Sequence, residues 1–353
     1  MTKVLFVSND PLIFDAESAV YARMREYATL FDELHVISRA PQSSRTEIQE
    51  QNLTLYPVSG FLALYTRTRC VIRERGIDVV SAQDPFEYGL IAYFASRGTR
   101  AKLHIQLHTD MFSPYFRWHP LWNVVRLCIA RFVFARAYGI RVISEHLKSS
   151  LEASSYKLKA TQVVLPIFVD IERLRSAPED AAIAARFGSF RTRILVVARL
   201  EPEKNVSLAI RAFAASAPRD SCLIIVGEGR ERESLQRFAK RLNVEERVFF
   251  EGAQNAVLYY KIADLVLVTS HYEGYGLVII EALASGVPVV ATDVGIAREA
   301  GAIVAKPEEF ADALSGWFKS GSRHDGLHGY PYVNKASYLE QFKKDLELCT
   351  KQP

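Results

Sequence analysis

Between Leu265 and Thr292 the chain reads strand, glycine turn, helix, strand, and this succession restricts the possible folds more than any other stretch. The β-branched run Leu265-Val-Leu-Val-Thr269 leads into a turn that carries Gly274 and Gly276. An apolar helical segment follows and stops at Gly286 and Pro288, where a second buried-strand run over 287–291 begins. A strand joined to the next strand through a helix implies a parallel sheet with helices laid on its faces.

The same alternation runs through the chain. Strand-like runs occur at 4–7, 33–38, 53–58, 77–81, 102–107 and 140–144, and helical patterns occupy Glu17–Leu30, Phe61–Glu74, Phe86–Ala95 and Leu121–Ala137. A Pro- and Ala-rich polar segment, Arg175–Phe190, reads as a linker. A second series follows, with strands at 193–198, 222–226, 247–250 and 302–305 around helices at Val206–Ala215, Glu231–Leu242 and Ala256–Ile262. Two doubly wound α/β domains are expected, spanning 1–172 and 173–333, each with its ligand crevice at the C-terminal ends of the strands. After a Gly/His/Pro-rich stretch, Ser320–Tyr332, the tail carries a charged periodic helix, Ala336–Leu348. Periodicity does not decide which domain this helix covers.

A chain of 353 residues with 49% apolar and 24% charged residues is long enough for two such cores. The N-terminus reads as a short strand and lacks a signal-peptide pattern, and no uncharged stretch reaches the length of a membrane span. Cys70, Cys128, Cys222 and Cys349 are scattered and read as free thiols of a cytoplasmic protein. The net charge of +4 does not imply nucleic acid. The basic excess is local: between Arg97 and Lys159 there are eleven Lys and Arg against three acids. Within Met111–Ser144 the arginines are interleaved with Phe112, Tyr115, Phe116, Trp118 and Trp122. That mixture suits the inner face of an anionic membrane, or equally a core helix with snorkelling arginines.

Four clusters carry candidate chemistry. The glycine turn places Glu273 before a helix start and Glu281 inside the helix. Backbone N–H groups and the helix dipole there favour an anion, and the carboxylates suit sugar or ribose hydroxyls. The plainer alternative makes Glu273 a cap and Glu281 a solvated residue. Arg199 and Lys204, in Ala198-Arg-Leu-Glu-Pro-Glu-Lys-Asn205, stand near a helix N-terminus where a diphosphate would meet two cations, although such residues are also common in solvated loops. Gly227-Glu-Gly229 lacks the third glycine of a dinucleotide fingerprint and reads as a tight turn. His108, in Leu107-His-Thr-Asp110, is either an acid/base or hydroxyl-binding group or a satisfied loop histidine. No D-x-D pair, metalloprotease motif, nucleophile elbow or Walker loop occurs, so neither a metal site nor a serine or cysteine nucleophile is expected.

Taken together, Ala198–Lys204, Ile225–Gly229, Arg247–Gly252, Ala263–Ser270, Glu273 with Glu281, and Ala282–Gly295 resemble the donor-binding domain of GT-B retaining glycosyltransferases of the family-four type. The first half is similar more loosely, through Leu107-His108, Val142–Glu145 and Pro166–Asp170. The resemblance implies two Rossmann-like domains facing a central cleft, with a tail of about 334–353 crossing back to the first. It also implies that Arg199 and Lys204 hold the donor diphosphate and that Glu281 binds the ribose. Glu273 with Gly274, Tyr275, Gly276 and Leu277 would hold the donor sugar and phosphates, and the base would lie near Gly252 and Ala253. His108 would sit at the cleft near the transferred sugar, and Asp110 and Glu17 would stand on the acceptor side. Enzymes of this kind move a hexose from a nucleotide sugar to a lipid or glycan hydroxyl with retention and without a metal or cofactor. Same-fold epimerases, hydrolases or catalytically weak sugar-nucleotide binders are the alternatives. Two departures stand out: the first loop, Asp10–Ala19, lacks the usual glycine pair, and Gly295 stands alone where a pair is common.

Overall fold

A computed structural model describes residues 2–40, 46–118, 121–156, 158–320 and 326–351. It divides into two compact units, Met1–Pro166 with Tyr332–Pro353, and Ile167–Pro331. Within the Gly/His/Pro-rich stretch, residues 321–325 lie outside the described residues.

The first unit runs β1 (Lys3–Ser8), α1 (Ala19–Ala28), β2 (Glu33–Arg39), β3 (Ile48–Glu50), β4 (Leu53–Val58), α2 (Gly60–Arg75), β5 (Val79–Ala82), α3 (Glu87–Ser96), β6 (Lys102–Leu107), α4 (Pro114–Trp118), α5 (Asn123–Phe134), β7 (Gly139–Val142), α6 (Glu145–Ala153) and β8 (Thr161–Val164). Its eight strands lie in the order β3-β4-β2-β1-β5-β6-β7-β8, and only the β3–β4 pair is antiparallel. Burial on both faces makes the inner strands legible as continuous apolar runs, since Val4, Leu5, Val7, Leu34, Val36 and Ile37 are all fully buried.

The second unit runs α7 (Ile171–Ser176), α8 (Ala181–Phe187), β9 (Thr192–Val197), α9 (Val206–Ser216), β10 (Ser221–Val226), α10 (Arg232–Arg241), β11 (Val248–Gly252), α11 (Ala256–Tyr260), β12 (Leu265–Val268), α12 (Leu277–Ala284), β13 (Val289–Ala291), α13 (Ala297–Ala300), β14 (Ile303–Val304) and α14 (Phe310–Ser320). Its all-parallel sheet is ordered β11-β10-β9-β12-β13-β14. Ile194, Val196, Leu223, Ile225, Leu265 and Leu267 form one core with Ala209, Ile210 and Phe213 of α9 and Phe310 and Leu314 of α14. Each fully buried large side chain there contributes about 1.5–3 kcal/mol.

Three expectations need correction. Arg175–Phe190 is not a linker: Asp180 caps α8 through Ala182 N and Ile183 N, and the fully buried Phe187 packs edge-on to Phe249 at 5.3 Å. The edge strands β3 and β8 lie outside the expected set, because edges carry little apolar surface. The pattern over Leu121–Ala137 shortens to α5, preceded by the separate turn α4.

The tail helix α15 (Lys335–Thr350) belongs to the first unit. Asn334 caps it by accepting from Ser337 N at 2.9 Å. Its buried face, Tyr338, Phe342, Asp345, Leu346 and Cys349, recurs at helical spacing. Phe342 stacks on Tyr27 with ring centroids 4.3 Å apart, and the Tyr27 and Tyr338 hydroxyls share a 2.7 Å hydrogen bond.

Candidate functional site

In each sheet the winding direction reverses once, between β1 and β5 in the first unit and between β9 and β12 in the second. In an open α/β sheet such a reversal is where the loops beyond the C-terminal strand ends diverge and a ligand crevice is expected. In the second unit the loop after β9 carries Arg199 and Lys204, and the loop after β12 carries Glu273 to Gly276, so the sheet order brings the candidate cations to the candidate carboxylate.

Lys204 Nζ donates to Glu273 Oε1 at 2.6 Å, and each side chain is only 18% exposed. Ser270 Oγ donates to the same oxygen at 2.7 Å. The second loop also bonds to the backbone of the first: the Thr269 side-chain Oγ1 donates to Lys204 O at 3.1 Å and His271 N to Glu203 O at 2.8 Å. Asn205 follows with φ of +47°, a left-handed residue that ends the 3-10 turn Pro202–Lys204 and starts α9. Arg199 is less constrained. Its side chain is 71% exposed and its guanidinium pairs with Glu203 at 2.9 Å, so the structure does not bring it onto Glu273.

Gly276, at φ +89°, turns the chain into α12. Tyr275 is buried, and its carbonyl accepts from Ile296 N at 3.0 Å. Gly295 lies so close that a Cβ there would stand 2.3 Å from that carbonyl, which explains the glycine that stands alone. Leu277 opens α12 and is exposed. Glu281 is held inside the fold: Tyr260, 1% exposed, donates to Glu281 Oε2 at 2.9 Å. Burial pushes the Glu281 carboxyl up, and the tyrosine bond only partly offsets this. An ordinary solvated helix residue would carry neither the burial nor the bond.

Gly252 ends β11 at φ +76° and accepts from Gly227 N at 2.7 Å, while Ala253 beside it is exposed. The Gly227-Glu-Gly229 turn is thereby locked against β11 and against the Arg199 loop, whose Leu200 N donates to Glu228 O at 2.8 Å.

In the first unit His108 follows β6, and its Nε2 is 3.0 Å from Gln106 Oε1. Although the residue as a whole is only half-buried, burial of the ring and the nearby Arg141 and Arg23 charges push its imidazole down to about 3, so it is neutral at physiological pH. Asp110 serves locally as a cap: Oδ1 accepts from Phe112 N and Ser113 N at 3.1 and 3.2 Å. Burial raises its carboxyl. Glu17 is exposed one residue before the Ser18 cap of α1. The loop lacking the glycine pair forms a 3-10 turn, Pro11–Phe14, capped by Asp10.

Asp84 belongs to none of the motifs legible in the sequence. It stands just beyond β5, at the reversal point of the first sheet, and burial pushes its carboxyl up to about 6. Its Oδ1 accepts from Phe86 N at 2.8 Å. The available signal is an acid two residues past a buried strand and just before a proline, Asp84-Pro85.

Of the five arginines in Met111–Ser144, Arg141 is buried and donates to Leu165 O, and Arg126 pairs with Glu87 at 2.8 Å. Phe116 is buried against Phe86. His119, Pro120 and the Trp118 side chain lie outside the described residues. The region nevertheless exposes Leu121 and Trp122, at 70% and 57%, with Val124 and Val125 beside them. No helix among the described residues is long and apolar enough to cross a membrane.

Two Rossmann-like parallel sheets of this kind define the GT-B class. Anabaena HepE, solved in complex with UDP, shares the fold with a TM-score of 0.73 and 21% identity, covering 99% of this chain and 96% of that one. Sucrose-phosphate synthase from Thermosynechococcus elongatus superposes with a TM-score of 0.75 at 17% identity, covering 99% and 94%.

The chain belongs to the family described as glycosyl transferases group 1, whose pattern matches residues 186–325. It is 32% identical over 330 residues to the GDP-mannose-dependent alpha-(1-6)-phosphatidylinositol monomannoside mannosyltransferase of Mycolicibacterium smegmatis, covering 90% of this chain and 80% of that protein. N-acetyl-alpha-D-glucosaminyl L-malate synthase of Bacillus anthracis is 28% identical over 66% of this chain. Alpha-monoglucosyldiacylglycerol synthase of Streptococcus pneumoniae is 25% identical over 63% of it. The chain spans 61% and 53% of the lengths of these last two relatives.

Proposed function

We propose that this chain is a hexosyltransferase that moves a sugar, with retention and without a metal, from a nucleoside diphosphate sugar to a hydroxyl of a lipid or glycan acceptor of the cell envelope. The observation that carries the reading is the 2.6 Å Lys204–Glu273 pair at the sheet reversal of the second unit, beside the Gly276 turn. Lys204 supplies the cation and the start of α12 the dipole for a diphosphate leaving group, so departing charge is neutralised by fixed protein groups. Glu273 and Glu281 are the acceptors for sugar and ribose hydroxyls, and Arg199 swings from Glu203 to the phosphates. Gly252 and Ala253 border the base. His108, being neutral, takes a hydroxyl of the transferred sugar as a hydrogen-bond acceptor and does not act as a charged acid. Asp110 and Glu17 contribute on the acceptor side.

Thermal denaturation with UDP-, GDP- and ADP-sugars identifies the donor, because a ligand bound only by the native state raises the midpoint. Nucleoside diphosphate should then appear only when acceptor is added. Conversion of the sugar nucleotide without acceptor would make the chain an epimerase or hydrolase, and binding without turnover would reduce it to a sugar-nucleotide binder.

The exposed Leu121, Trp122, Val124 and Val125, with Arg117 and Arg131 nearby, support peripheral contact with an anionic membrane on its cytoplasmic face. Vesicles containing about one third phosphatidylglycerol should sediment the protein at low salt, and Trp122→Ser should weaken that binding severalfold. No co-sedimentation at low salt would remove the membrane from the reading.

A further inference from the structure

His108 ends a continuous line of polar groups that begins on the tail helix. Asp345 of α15, 2% exposed, places Oδ2 3.2 Å from Nε2 of the fully buried His104 on β6. The contact falls outside hydrogen-bond geometry, and neither atom has a hydrogen-bonding partner among the described residues. His104 Nδ1 lies 2.8 Å from Ser81 Oγ on β5. Gln106 Nε2 donates to that same oxygen at 2.9 Å, and Gln106 Oε1 lies 3.0 Å from His108 Nε2.

Donor and acceptor bookkeeping gives this line a direction. With Asp345 Oδ2 as the acceptor facing it, His104 carries its proton on Nε2, and Nδ1 is left to accept from the Ser81 hydroxyl. Ser81 Oγ then accepts from the Gln106 amide, which turns the Gln106 carbonyl toward His108 and requires a proton on His108 Nε2. The remaining nitrogen, His108 Nδ1, is left with a lone pair. A core histidine satisfied for packing alone would end at its own partners, whereas here each group hands its orientation to the next.

A second observation shows the chain built around this meeting. Gly139 on β7 has no side chain where a Cβ would stand 2.3 Å from Cys349 Sγ of α15 and 2.9 Å from His104 Cδ2. Any larger residue would push α15 off His104.

We propose that Asp345 is a positioning residue that sets the tautomer of His108 through His104, Ser81 and Gln106, so that His108 presents Nδ1 as an acceptor to a substrate hydroxyl. The hydroxyl rests on the function proposed above, whereas the tautomer does not. Burial, helped by the charges of Arg141 on β7 and Arg23 on α1, keeps the ring neutral, so its tautomer is the variable that matters. The returning tail thus carries information to the site as well as apolar surface.

The test is long-range 15N–1H correlation of the imidazoles in 15N-histidine-labelled full-length protein, with His108 assigned by its loss in His108→Gln. His108 is expected as the Nε2–H tautomer in the native chain. In Asp345→Asn the side-chain amide can donate to His104 Nε2, the line inverts, and His108 should shift to the Nδ1–H tautomer. Should Asp345→Asn not fold, Ser81→Ala cuts the line with α15 untouched, and the two His108 nitrogens should move toward averaged shifts. A native Nδ1–H tautomer, or a His108 unchanged in the folded variants, overturns the proposal. Because this readout needs no substrate, failure of the transferase reading would appear separately, as absent turnover with the tautomer shift intact.

Discussion

Replacing Lys204 with alanine is expected to lower kcat/KM for the nucleotide sugar roughly 10²–10³-fold, the range found when one fixed group facing developing charge is removed. The size of the effect comes from two losses at one place. The diphosphate loses a cation, and Glu273 loses the ammonium 2.6 Å away, keeping only the Ser270 hydroxyl on the same oxygen. An uncompensated carboxylate would then face an anionic ligand. Adding Glu273→Gln to the Lys204→Ala chain should therefore recover part of the nucleoside diphosphate affinity while leaving turnover low, as read by calorimetric titration and steady-state kinetics. If Lys204→Ala turns over at the native rate, the diphosphate is held elsewhere and the proposed donor site is wrong.

The largest stability effect should come from Gly227→Ala. At φ +143° the residue occupies backbone space that side chains rarely enter, and a Cβ would lie 1.8 Å from Ala198 O. That carbonyl cannot withdraw easily, because Ala198 N is bonded to Val226 O at 3.0 Å and Gly227 N to Gly252 O at 2.7 Å. Strain and overlap together should cost more than about 4 kcal/mol, beyond the usual range for single substitutions. Gly286→Ala is the matched control: φ is +82°, but nothing lies within 4 Å of its Cβ. It should cost only the left-handed penalty of about 1–2 kcal/mol. Urea denaturation of the two variants checks the contrast, and equal losses would show that the turn yields.

Much of the fold was legible because parallel strands buried on both faces produce unbroken apolar runs such as Cys222–Val226. The strands that were missed lie at the sheet edges. β3 is Ile-Gln-Glu and β8 is Thr-Gln-Val-Val, and neither has a fully buried position to mark it. The mistaken linker had a similar cause. Alanines and charges hid α8, whose identity rests on Asp180 as cap and on the one aromatic, Phe187, that reaches the core. In the site, residue types and their nearness to strand ends were visible, but partners were not. Arg199 looked equivalent to Lys204 and turned out exposed and paired with Glu203. Asp84 went unnoticed because its raised carboxyl comes from burial.

Local spacing in the chain sufficed to establish two doubly wound series, the glycine turn before α12 and the amphipathic tail, because helix and strand periods are short-range properties. It also placed Lys204 and Glu273 each beyond a strand end. That the two meet, 69 residues apart in sequence, was decided by the sheet order, which sets β9 beside β12. The same holds for the tail: its apolar face required a cover, but only packing against Tyr27, His104 and Gly139 decided that the first unit provides it. Strand order and helix docking depend on the sum of many distant contacts, and no window of sequence contains that sum.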